Sequence, residues 1–180
     1  QLNCHFPSLI VETVEWGTKL VASFFQRTRG EKVALSKSLC FVVQIQPELL
    51  LNAIEMVAES ANPFFRAGYN SLGAYATINH LHFQAYYLMA PFPIERATTA
   101  RVGKRRRSAV TVSRLTDYPV RAFVFETSSS LEDLAYVCGE ACVKLQDANI
   151  AFNLLIVDSG ARVFLIPQCY AEKQAKGVVP

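Results

Sequence analysis

The sequence lacks most of what would take it out of the class of folded globular domains. No apolar run approaches the ~18 consecutive residues that a bilayer span needs. The N-terminal stretch has no basic start and no apolar signal core, because Glu12, Glu15 and Lys19 interrupt it. No membrane partner is expected. Charge is slightly scarce, at 18% of residues, and the net balance of +3 is too small to argue for nucleic acid, which is not expected as a partner either. The five cysteines are odd in number and without framework spacing, so they fit a reducing, cytoplasmic setting better than a disulfide scaffold. No internal repeat or low-complexity linker breaks the chain. What is present is 51% apolar residues in 180, enough for a single domain over residues 1–180 with a substantial core. The first residue is Gln1 rather than Met, so a fragment or a processed product is expected.

Histidine is also scarce, and its distribution is informative. Two of the three, His80 and His82, fall in the stretch Arg66–Leu88, with Gln84 next in step. On a strand, residues at i, i+2 and i+4 share a face. A strand over about Ile78–Met89 would therefore present His80, His82 and Gln84 together, with Leu81, Phe83 and Ala85 turned toward an apolar layer. Upstream, Gly68, Asn70, Ser71, Gly73 and Thr77 supply small residues and hydrogen-bond donors suited to close approach of a ligand.

The rest of the chain suggests an α+β protein, an antiparallel sheet with helices packed on it. A strand is read near Ser8–Val14, a helix or strand near Thr18–Phe25, and a strand over Leu39–Ile45. Pro47 opens a helix whose apolar stripe is Leu50, Ile54, Val57 and Ala61; Asn62-Pro63 ends it. Arg96–Arg114 reads as a basic loop and Val120–Phe125 as a strand. Ser129 and Glu132 read as a capping box for a second helix, striped by Leu131, Leu134, Cys138, Ala141, Cys142 and Leu145, with Asn149 as its left-handed cap. Phe152–Val157 and Arg162–Ile166 read as a hairpin turned at Asp158–Ala161.

Three chemistries fit two imidazoles on one strand face. They are a zinc or iron site, histidines satisfied within a polar core, and nucleophilic attack on phosphorus. The metal reading lacks a third ligand at short spacing. The nucleophilic reading needs a largely neutral imidazole, which an ordinary pKa of about 6.5 supplies, and donors to hold the phosphate oxygens. Arg66 serves equally as an extra phosphate contact or as a sheet-edge ion pair. Lys104–Arg107 reads as a solvated run or as a nuclear import signal. Cys138 and Cys142 read as small core residues.

The run His80-Leu81-His82-Phe83-Gln84 resembles the H-φ-H-φ-Q signature of the transferase branch of the histidine-triad superfamily. With Asn62–Arg66, Gly68–Ala74, Ala76–Leu88, Pro91–Pro93 and Phe164–Gln174, the chain is similar to the GDP-L-galactose phosphorylase family from about residue 40 to 175, while residues 1–38 match poorly. The resemblance implies a phosphorylase that transfers GMP from GDP-L-galactose to inorganic phosphate in ascorbate biosynthesis. His82 would carry the guanylyl group, His80 would orient the site and Gln84 would hydrogen-bond the phosphate. Asn70, Ser71, Gly73 and Thr77 would line ribose and phosphates. No metal or cofactor is required. The family is longer than this chain, and the superfamily resemblance implies a homodimer or an internally duplicated fold. A non-catalytic paralogue binding nucleotide or a protein partner, and a GDP-D-glucose phosphorylase, stand as alternatives.

Overall fold

The computed structural model describes residues 9–16, 19–26, 44–74, 81–104 and 108–169. Its centre is a seven-stranded antiparallel sheet in the order β4-β3-β8-β9-β7-β6-β5. Those strands are β3 (Phe65–Asn70), β4 (Phe83–Tyr87), β5 (Thr99–Lys104), β6 (Thr111–Leu115), β7 (Phe123–Glu126), β8 (Phe152–Val157) and β9 (Arg162–Pro167). Two helices, α1 (Pro47–Glu59) and α2 (Leu131–Asp147), cover one face. This is the α+β arrangement expected. Before it, β1 (Leu9–Trp16) and β2 (Lys19–Gln26) form an antiparallel hairpin, with β2 against β4.

The helices form for local reasons. Proline presets the backbone at the first turn of α1, and the stripe facing the sheet buries Leu50, Ala53, Ile54 and Val57. Ala61 lies outside the helix and is exposed, so it is not part of the stripe. In α2 the N-cap is Ser130, one residue after the serine expected: its Oγ accepts from the Asp133 amide at 3.0 Å and donates to Glu132 at 2.8 Å. The far end closes as a Schellman motif. Asn149 has φ +53, its amide donates to Gln146, and the Ile150 amide reaches back to Leu145 at 2.8 Å. Where the helices cross, a Cβ on Gly139 would stand 2.8 Å from Pro47 Cα, so only glycine lets them close this far.

Three other expectations change. Arg96–Arg114 is not a loop. After a 3₁₀ turn at Pro93–Arg96, the segment pairs as the β5–β6 hairpin. β5 lies at the sheet edge, where Arg101 is exposed to water; residues 105–107 lie outside the described residues. Of the expected strand at Leu39–Ile45, residues 39–43 lie outside them as well. Gln44–Gln46 is not strand: the Gln146 side chain satisfies the Ile45 backbone in both directions, at 2.9 and 3.1 Å. The expected strand Ile78–Met89 is observed only over Phe83–Tyr87. Residues 75–80 lie outside the described residues, and Leu81 and His82 precede the strand.

Alternation divides the sheet. Phe65, Ala67, Tyr69, Phe83, Ala85, Phe152, Leu154, Ile156, Val163 and Leu165 pack under the helices. The opposite face carries a smaller cluster around Leu155, Val157, Phe164 and Val124, covered by Ile94 and by Leu115–Ala122.

Candidate active site

The open end of that second face is a cleft. Its floor is read from the register: Gly68 lies between Gln84 on β4 and Leu155 on β8, and Asn70 pairs Asn153, which pairs Ile166. Its walls are Phe92–Ile94 on one side and Tyr118 with Val120 on the other. The space within this open cleft is about 380 Å³, within the ~300–1,000 Å³ of small-molecule sites. Gly68 has no side chain to fill it, and a Cβ there would find ordinary contacts at 3.6 Å and beyond.

A chain of amides runs along one edge. Gln168 Nε2 donates to Asn153 Oδ1 at 2.7 Å, and Asn153 Nδ2 donates to Asn70 Oδ1. Gln84 projects into the cleft on the exposed side of β4. The Tyr86 ring stands edge-on to Phe92, centroids 6.1 Å apart. Burial raises the Tyr86 hydroxyl above its usual value, opposed by Arg66 and assisted by Glu95, so at neutral pH it remains a donor. Among the described residues no Lys, Arg, Asp or Glu lines the cleft.

Beneath lies a charge pair with no outlet to solvent. Arg66 is 1% exposed. Its Nε and Nη2 donate to the two Glu95 oxygens at 3.1 and 2.8 Å, and Nη1 donates to the Pro63 carbonyl. Glu95 Oε1 also accepts the Phe92 amide at 2.9 Å, and the Glu95 carbonyl accepts from Arg162 at 3.2 Å. The pair fastens the Phe92–Arg96 wall to β3. Of the two readings of Arg66 the structure shows the ion pair, within the sheet rather than at its edge, with Nε, Nη1 and Nη2 each hydrogen-bonded.

The other expected residues divide. Gly68, Asn70 and Gln84 come together in the cleft. His82 is buried, 4% exposed, one residue ahead of β4 and one step beyond the last paired residues, Tyr69 and Phe83. Ser71 is not presented to the cleft: its Oγ accepts the Phe152 amide at 2.8 Å and donates to the Leu72 carbonyl, joining the end of β3 to β8. Gly73 (φ +75) turns the chain beside Ala151. His80 and Thr77 lie outside the described residues. Cys138 and Cys142 are wholly buried on α2, and burial together with the neighbouring thiol pushes Cys138 well above the usual thiol value. Among the described residues no three His, Cys, Asp or Glu side chains are grouped to hold a metal, and no helix is long and apolar enough to cross a membrane.

The residues not anticipated are Tyr86, Phe92, Tyr118, Asn153 and Glu95. Continuing the two-residue step from Gln84 points to Tyr86. The others come from elements brought alongside by the strand order, which no local spacing announces.

Comparison with known proteins follows the same residues. Two family models match: "GDPGP1-like, N-terminal domain" over residues 35–86 and "GDPGP1-like, C-terminal domain" over residues 93–180. The first contains β3 and β4, the second β5–β9, so sheet and cleft draw on both. The chain is 55% identical to GDP-L-galactose phosphorylase 1 of Arabidopsis thaliana over 140 residues, 78% of this chain and 31% of that protein. It is 54% identical to GDP-L-galactose phosphorylase 2 of the same plant, over 78% of this chain and 32% of that protein. It is 34% identical to GDP-D-glucose phosphorylase 1 of Bos taurus, over 69% of this chain and 36% of that protein. The chain thus spans about a third of the length of these relatives. No solved structure matches it. With both models matched in sequence order over most of its length, the chain belongs to the GDPGP1-like family.

Proposed function

We propose that this chain is part of a GDP-hexose phosphorylase that works through a guanylyl-histidine at His82, with GDP-L-galactose as substrate, in ascorbate biosynthesis. An imidazole nitrogen of His82 attacks the α-phosphorus. The N–P bond forms, the bond from the α-phosphorus to the bridging oxygen breaks, and hexose 1-phosphate leaves with that oxygen. Inorganic phosphate then attacks the same phosphorus, releases the imidazole and yields GDP. The leaving group is a phosphate whose second pKa is about 6, so it departs as a stable anion without strong acid assistance. That suits a glutamine, Gln84, in place of a titrating residue.

The observation that carries the reading is the H-x-H-x-Q run at the head of β4, with Gln84 opening onto a cleft beside Asn70. Support also comes from relatives named for two GDP-hexoses, L-galactose at 55% identity and D-glucose at 34%. The test is intact-mass analysis after incubation with GDP-L-galactose or GDP-D-glucose without phosphate. The expected result is a gain of one GMP, larger in yield with GDP-L-galactose, reversed by phosphate and abolished in His82→Ala. An adduct that persists in the variant removes His82 from the role. GDP binding with no adduct from either sugar nucleotide replaces the reading with a non-catalytic nucleotide-binding chain.

A further inference from the structure

We propose that the cleft walled by Phe92–Ile94 and Tyr118 is the subsite for the hexosyl ring of the sugar nucleotide. The inference rests on the guanylyl-transfer reading and adds where the sugar lies. The first argument is charge. Phosphates favour cationic, charge-assisted donors, and among the described residues no cationic side chain lines this space. Arg66, below the floor, is paired with Glu95. The cleft therefore suits the uncharged part of the ligand.

Two uncharged parts compete, guanine and hexose. The N1–H and amino edge of guanine is met most strongly by a carboxylate, which only accepts. Among the described residues none faces the cleft, since both Glu95 oxygens are held by Arg66 and the Phe92 amide. Gln84, which the transfer reading places at the leaving phosphate, marks one end of the cleft, and the rest offers amides at Asn70 and Gln168 and phenols at Tyr86 and Tyr118. Each of these side chains both donates and accepts, as a sugar hydroxyl does. The aromatic rings supply flat apolar surface for the C–H face of a pyranose. The Arg66–Glu95 pair fixes the Phe92 wall before ligand arrives, so little ordering cost remains.

The test titrates the full chain carrying His82→Ala, which cannot form the adduct, with GDP-D-glucose, GDP and GMP by calorimetry, without further change and in two variants. Gly68→Val fills the floor at a strand position with room for a Cβ, and Tyr118→Ala removes a wall. Melting curves check folding, and Tyr118→Ala carries the test should Gly68→Val not fold. The expected result is a tenfold or greater loss in the GDP-D-glucose to GDP affinity ratio, with GDP and GMP binding changed less than twofold. Parallel weakening of GDP, GMP and GDP-D-glucose would assign the cleft to guanosine and overturn the proposal. So would an unchanged ratio, or a His82→Ala chain without further change that binds GDP-D-glucose no better than GDP. The adduct measurement on His82 is separate, so loss of the transfer reading and loss of this subsite are told apart.

Discussion

The two faces of the sheet are built by opposite rules. The helix-covered face is apolar throughout, and each of its residues is held by several neighbours of the same kind. The other face mixes a small apolar cluster with amides, two tyrosines and a buried ion pair, and leaves part of its area open. The first face gains from burial of area and tolerates exchange of one aliphatic group for another. The second depends on pairs of partners, and loss of one strands the other.

The largest effect expected is at that pairing. Glu95→Ala leaves the Arg66 guanidinium buried without its counter-ion, at a cost of about 3–5 kcal/mol, measured by urea denaturation. The double change Arg66→Met with Glu95→Leu recovers much of the loss. A single variant that costs less than an ordinary surface substitution would break the contrast between the faces.

A tyrosine on each face sharpens it. Burial pushes Tyr69, on the helix face, up to about 12, with Cys142 adding to the rise. The folded pKa lies above the ordinary value of about 10, so its share of stability is intact below pH 10 and is lost as pH rises toward 12. By linkage that share is about 2–3 kcal/mol. Tyr69→Phe should flatten the alkaline unfolding curve across that window. Tyr86→Phe should flatten it less, since Arg66 offsets part of the burial there. Equal flattening by the two would erase the distinction. The smallest effect is at the end of α2. Ser130→Ala removes one cap and should lower stability by about 1 kcal/mol, read as a small fall in melting temperature, with GDP binding unchanged.

The helix face was largely legible in the sequence because its signals are local. Pro47, the stripes through Leu50–Val57 and Leu134–Cys142, and Asn149 each act within a turn or two. The serine cap was misread by one residue because Ser129 and Ser130 are adjacent and chemically equal; only the backbone distinguishes them. The β5–β6 hairpin was hidden by its own arginines, which mark an edge strand as readily as a loop. The open face was legible only where it follows strand alternation, at Gln84 and Asn70. Arg66 was ambiguous because its partner, Glu95, lies 29 positions away. The walls at Phe92 and Tyr118 meet through strand order alone.

The hydrogen bond from the Phe152 amide to Ser71 spans 81 positions, and the β3–β8 ladder beside it is equally long-range. Closing such a loop costs chain entropy before any contact repays it, and pairings of this kind form slowly. A chain emerging residue by residue can complete α1 and β3 long before β8 exists. The cleft floor is therefore a late product of folding, and until it forms β3 presents an unpaired edge to whatever lies nearby.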